Sequence, residues 1–177
     1  LFTRVQNHGA TYPKILVPMT ALDTFATVTF SDRTYCDNAN VFFIDIPQKD
    51  ENSLYALSAV INSTVYSVLA RSIANPQSNG YFKFNKQFLE PVPFPVSNFR
   101  ENEQLKSDLA VIAKRIDELQ TNYKSSSPTQ QRSIARLLTT QWNALDELCY
   151  QLYGLTDADK AFFNDRARNI DRIQTLD

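Results

Sequence analysis

Glycine is scarce. Only Gly9, Gly80 and Gly154 occur in 177 residues. A loop that cradles a phosphate or a nucleotide needs several glycines close together, because its backbone must turn tightly and approach the ligand. No such loop can be built from these three. Histidine is scarcer still: His8 stands alone, so any Ser–His–Asp or Cys–His arrangement would have to rest on it. Cys36 and Cys149 lie far apart and form no zinc-binding pair with His8. They read as two thiols in the core of a cytoplasmic protein rather than as a disulfide. No apolar run approaches the roughly 20 residues needed to cross a bilayer. The opening stretch LFTRVQNHGA lacks the apolar centre of a signal peptide. A cytoplasmic protein with no membrane partner is expected. Because the chain opens at Leu1 without an initiator methionine, it is expected to be a segment of a larger protein.

What is present is a chain able to bury a core, with 43% hydrophobic and 12% aromatic residues. Eighteen basic against nineteen acidic residues give a net charge of -1, which excludes a generic polyanion binder. The local distribution is more informative. No acid occurs between Glu51 and Glu90, while Arg71, Lys83 and Lys86 lie inside that window among Asn62, Asn75, Gln77, Asn79, Asn85 and Gln87. Cations and amides without carboxylates suit a phosphate backbone and base edges. A buried helix and an edge strand that lack acids would give the same composition.

The chain changes grammar near its middle. Lys14 to Met19, Phe25 to Phe30 and Val41 to Ile46 are short, β-branched and aromatic, and read as strands around the polar loop SDRTYCDNAN. From Ser53 to about Ala74 the spacing of Leu54, Leu57, Ile61, Val65 and Val68 predicts one amphipathic helix, capped by Asp50 or Asn52. Tyr81 to Phe84 reads as a short strand. Pro91, Pro93 and Pro95 then force an extended exit. Beyond it, Leu105, Leu109, Ile112, Ile116, Leu119 and Tyr123 form a heptad seam. Ile134, Leu138, Leu145, Leu148 and Leu152 continue it after KSSSPT, with a gap at Gln141 beside Trp142. Two such helices make an antiparallel hairpin of roughly 30 Å. Gly154 suits its stop, and Thr156 to Asp159 opens a last helix through Phe162, Phe163 and Ile170. The fold class expected is α+β: a small mixed-sheet domain over residues 1–98, then a helical arm over 99–177 with a terminal helix.

Chemistry is sparse. The carboxylate pairs Asp117–Glu118 and Asp146–Glu147 fall on the arm and read as its solvated face. Asn75-Pro76-Gln77-Ser78 begins like the Asn-Pro-Pro-aromatic loop of amino-methylating enzymes. It lacks the second proline and the aromatic that hold a flipped base. A catalytic domain is not expected in this segment, nor a metal.

Four stretches in order carry a family resemblance: YPKILVP, LYALSAVINSTVYSVLARS, NGYFKFNKQFLEPVPFPV and LDELCYQLYGLTDAD. They resemble the C-terminal specificity region of adenine-specific DNA methyltransferases and of fused restriction–methylation (type IIG) enzymes. That family shows a strand ending in Ile-Leu-x-Pro and a helix with Leu-Leu-Asn-Ser. A Gly-Tyr-x-x-Phe-x-Lys segment then runs into Leu-Pro-Ile-Pro, and Tyr-x-Leu-Tyr-Gly-Leu closes a helix. The resemblance spans roughly residues 12 to 160. It departs at Pro93-Phe94-Pro95, which replaces Pro-Ile-Pro, and at Cys149, which replaces a valine; neither departure alters the chemistry.

The resemblance implies a target-recognition domain that reads double-stranded DNA. An N-terminal methyltransferase domain of the same parent chain would supply S-adenosylmethionine chemistry, and the helical arm would resemble the spacer of type I specificity subunits. The residues expected at DNA are Lys83 and Lys86 on phosphates, with Asn79, Gln77 and Tyr81 around the Gly80 loop. Arg71 and Arg33 are second choices, since an arginine can grip guanine in two places. A solvated surface role competes for each of them. The competing function is a helical protein-interaction module that docks a methyltransferase or nuclease partner.

Overall fold

The computed structural model describes residues 2–3, 13–31, 40–44, 46, 50–167 and 172. The fold is α+β. Its strands are β1 (Phe2–Thr3), β2 (Lys14–Pro18), β3 (Thr20–Ala21), β4 (Thr27–Thr29), β5 (Val41–Ile44), β6 (Asn75–Pro76) and β7 (Phe82–Lys83). They form two small sheets, ordered β1-β5-β2-β4 and β3-β7-β6, and every described pairing is antiparallel. In the larger sheet, Ile15 pairs with both Val28 and Ile44, and Ile15 and Val17 point inward and are fully buried. The period-2 alternation puts Leu16 on the other face, half-buried.

The helix expected over Ser53 to Ala74 is two helices, α1 (Glu51–Ile61) and α2 (Thr64–Ile73), meeting at a 60° bend. Apolar spacing cannot reveal this break, because both helices keep the same face inward. Its causes are local. Ser63 adopts an extended conformation and its hydroxyl accepts from the Tyr66 N–H at 3.2 Å, the geometry of an N-cap. Asn62 ends α1, and its amide exchanges two 2.7 Å bonds with the backbone of Ala26, one in each direction. Thr24 donates to the Ile61 carbonyl at 2.7 Å. Asp50, not Asn52, caps α1 by accepting from the Ser53 N–H at 2.8 Å.

The chain leaves α2 through β6 and β7, passes the short helix α3 (Lys86–Leu89), and stays non-helical from Pro91 to Pro95 as the prolines require. Helix α4 (Val96–Glu101) then leads into the arm, α5 (Glu103–Ser125) and α6 (Pro128–Tyr153), followed by α7 (Asp157–Arg166). Pro128 occupies the first turn of α6 behind a Ser127–Gln130 capping box, where a missing N–H costs nothing. Gly154 ends α6 with φ 65°, a left-handed cap that a residue bearing Cβ rarely adopts. Thr156 and Asp159 form a capping box that starts α7. His8, Cys36, Ile170 and most of the loop SDRTYCDNAN lie outside the described residues.

The heptad seam is consumed inside the molecule. Leu105, Leu109, Ile116 and Leu119 of α5, and Leu138, Leu145 and Leu152 of α6, are buried in one cluster with Ile15 and Val17 of the sheet and Leu54 and Val60 of α1. Trp142 fills the gap left by Gln141. No single helix among the described residues is long and apolar enough to cross a membrane.

A carboxylate is among the polar groups buried in this packing. Asp146 accepts from the Thr64 N–H at 2.8 Å and from its hydroxyl at 2.7 Å, so a carboxylate on α6 satisfies the first turn of α2. Arg172 donates to Asp146 at 2.7 Å, reaches the Thr64 hydroxyl, and places its guanidinium 5.2 Å from the centre of the Trp142 ring. The expectation that Asp146 belongs to a solvated face is therefore corrected. Adjacent residues on a helix point about 100° apart, so Glu147 faces solvent and Asp146 faces the bend. Replacing Asp146 by alanine strands Arg172 and the Thr64 N–H. It should lower unfolding free energy by about 3–5 kcal/mol, while asparagine, which keeps an acceptor, should cost less. Denaturant titration of the two variants checks this; equal losses would mean that the charge contributes nothing.

Candidate nucleic-acid interface

The expected DNA-facing segment forms a tight hairpin. β6 follows α2 at once, and Pro76 is tolerated because β6 is an edge strand. The turn runs from Ser78 to Tyr81, and its two central residues, Asn79 at φ 61° and Gly80 at φ 80°, both have positive φ. That is the requirement of a type I′ turn, which Asn-Gly meets better than any other natural pair. A Cβ on Gly80 would meet Leu22 at an ordinary 3.9 Å, so the backbone conformation, not space, selects glycine here.

Register decides which side chains face outward. β7 lies between β3 and β6, with Lys83 opposite Thr20 on one side and Asn75 on the other. Residues directly opposite share a face of the sheet, and Thr20, Lys83 and Asn75 are all exposed. The next row, Ala21, Phe82 and Pro76, points the other way. Phe82 packs against the core there, 6.1 Å from the fully buried Phe84 ring. The small sheet therefore has a polar outer face carrying one cation, and an apolar inner one.

The expected site residues fall into groups. Lys83 is at the centre of the outer face, and Lys86 opens α3, three residues on. Both are exposed, and among the described residues neither is paired with a carboxylate. Asn79 is at the turn apex and exposed, with Tyr81 beside it at 42% exposure. The Gln77 N–H donates to the Tyr81 carbonyl at 2.7 Å, and its side-chain amide donates to the Pro76 carbonyl at 3.1 Å. Arg71 is not with them. Its guanidinium lies 5.6 Å from the centre of the Phe82 ring, on the side away from Lys83, and donates to the Arg166 carbonyl at 3.5 Å. Arg33 lies outside the described residues. Thr20 and Asn75 flank Lys83 without any sequence signal that they do so. Asn75 is one amide among several in a polar stretch, and β3 is too short for any periodicity to mark it.

Other chemistry is confined. A cavity of about 30 Å³ lies between β4, α1, α5 and α6, lined by Tyr55, Asn62, Asp117 and Trp142, with room for a water or two rather than a cofactor. Asp117 is held above the usual carboxylate range by burial, opposed by the Tyr55 hydroxyl 3.5 Å away. Burial likewise pushes the Cys149 thiol well up, so it stays protonated at neutral pH. Among the described residues no group of three His, Cys, Asp or Glu side chains is placed to hold a metal ion.

Just after β3, Asp23 is pushed up to about 6, chiefly by burial; the Thr24 N–H and the charge of Arg71 only partly offset it. Its folded-state value exceeds the ordinary 3.8, so the folded protein binds the proton more tightly than the unfolded chain does. The associated stability is complete below the unfolded value and is lost as pH rises through about 6. Asp23→Asn should therefore stabilise the protein by about 1–3 kcal/mol at neutral pH. It should also flatten the dependence between about pH 4 and 6, measured by denaturant titration across that range; an unchanged pH profile would refute it. No family model matches the chain, and no curated protein or solved structure matches it either.

Proposed function

We propose that this chain is the sequence-recognition part of a bacterial adenine-specific DNA methyltransferase or fused restriction–methylation enzyme. It binds double-stranded DNA, and a methyltransferase domain elsewhere in the same parent chain uses S-adenosylmethionine. The observation that carries this reading is the outer face of the small sheet. Thr20, Lys83 and Asn75 lie side by side there with the Asn79-Gly80 turn at the end, and all of these but Thr20 fall in a window of sequence without acids. Lys83 and Lys86 supply phosphate contacts, and Asn75, Gln77 and Asn79 supply amides able to bond base edges. The four ordered motifs support the same reading, because the chain that bears this face resembles such recognition regions.

Replacing Lys83 and Lys86 together by alanine should weaken duplex binding and make the plot of log affinity against log salt shallower by about 2, roughly one counterion for each lysine removed. Fluorescence anisotropy over a salt series measures both. Unchanged affinity and slope in the double variant would remove the sheet face from the interface.

A docking role for the arm is the second reading, favoured by Val111 and Leu137, which are 63% and 48% exposed on the outer faces of α5 and α6. The seam itself is inaccessible, because Leu109 is fully buried. On this reading Val111→Asp, at an exposed position where the fold should tolerate it, should abolish association with the methyltransferase domain in a size-exclusion assay. Undiminished association would count against it.

A further inference from the structure

The arm carries a second carboxylate-free surface. Between Glu118 and Asp146 there is no acid, while Lys124, Arg132 and Arg136 lie in that interval. All three are exposed. Cations nearer the base of the arm behave differently. Lys106 pairs with Glu103 at 2.7 Å, Lys114 with Glu51 at 2.8 Å and Arg115 with Glu118 at 3.0 Å. Among the described residues the distal three form no ion pair at contact distance, and only the charge of Lys124 is felt by a carboxylate, that of Asp117, at longer range. The arm is thus neutralised at its base and unneutralised at its end.

Geometry gathers these charges. Arg132 and Arg136 are four residues apart, hence on one face of α6 and about 6 Å apart along its axis. Thr129, Ser133, Thr140 and Asn143 continue that exposed stripe without a carboxylate. Lys124 is in the last turn of α5, beside the start of α6, since Gln131 donates to the Tyr123 carbonyl at 3.1 Å. Each strand of a duplex carries one phosphate about every 3.4 Å of helix axis, so two arginines about 6 Å apart along α6 can each reach a different phosphate. Arginine suits this use because its guanidinium presents a planar fork of donors to phosphate oxygens.

We propose that the distal half of the arm is a second, sequence-independent contact to the phosphate backbone of duplex DNA, made by Lys124, Arg132 and Arg136. It rests on the reading of the chain as a DNA-binding protein and extends it. The hairpin face reads and grips one stretch of duplex, and the arm grips another without reading it.

The test uses the full chain and a labelled duplex of about 30 base pairs of mixed sequence, titrated between about 50 and 200 mM salt. Four proteins are compared: the unaltered chain, the Lys83→Ala/Lys86→Ala pair, the triple Lys124→Gln/Arg132→Gln/Arg136→Gln, and both sets combined. The triple variant should bind about 10-fold or more weakly, with a salt slope shallower by about 2 to 3. A fifth protein, Arg132→Lys/Arg136→Lys, should keep the salt slope of the unaltered chain and lose only part of the affinity, because the charges stay while the planar fork goes. Circular dichroism should show an unchanged melt, as all three side chains are exposed. If the triple variant keeps the original affinity and slope while the sheet pair loses them, the arm contact is overturned and the sheet-face reading stands. If the triple loses affinity and the sheet pair does not, the arm contact stands and the sheet-face reading falls. No binding by the unaltered chain across the salt range overturns both.

Discussion

The bend between α1 and α2 is the constraint on which the other elements depend. A 60° break in a helix frees backbone groups that must find partners away from water. Here they are drawn from three directions. Thr24 and Ala26, ahead of β4, bond Ile61 and Asn62; Ser63 caps its own helix; and Asp146, 82 residues on, takes the N–H and hydroxyl of Thr64. Each bond ties a different layer to the same short junction, so sheet, bent helix pair and arm are fixed mutually. The break also aims α2 so that it delivers the chain directly into β6 and the hairpin.

This junction gives the motif-like stretches a physical meaning. Lys14 to Pro18 is the strand at the middle of the larger sheet, and Asn62-Ser63 is the bend. Asn79-Gly80 is the positive-φ turn, and Gly154 with Thr156 is the left-handed stop followed by a new cap. The last three are joints, where few side chains satisfy the backbone. Such joints fix the course of the segments between them, and Lys83 and Asn75 lie on one such segment with their side chains exposed.

Legibility in the sequence follows the same division. Strands β2, β4, β5 and β7, the arm, its seam, the proline exit and the caps at Gly154 and Thr156 are readable because periodicity and breaker residues report them directly, whereas β3 and β6, of two residues each, are not. The bend is not: α1 and α2 present a continuous apolar face, and the partners that make the break favourable, Thr24, Ala26 and Asp146, are remote in sequence. Asp146 itself misleads for the same reason, since a carboxylate on an amphipathic helix looks solvated until its partner across the core is known. On the small sheet, Lys83 and the turn are legible from composition and from the Asn-Gly pair. The separation of Arg71 from Lys83 is not, because it depends on which face of a two-residue strand each side chain meets. The acid-free stretch at the end of the arm is open to counting, yet the net charge of the helical half conceals it.

Arg172 has an influence that reaches far from its own position in the sequence. It closes a link to Thr64 across 108 positions and is the counter-charge of a carboxylate that solvent scarcely reaches. A substitution at position 172 would thereby act on the joint that aims α2, more than a hundred positions away in sequence, rather than on its own surroundings alone.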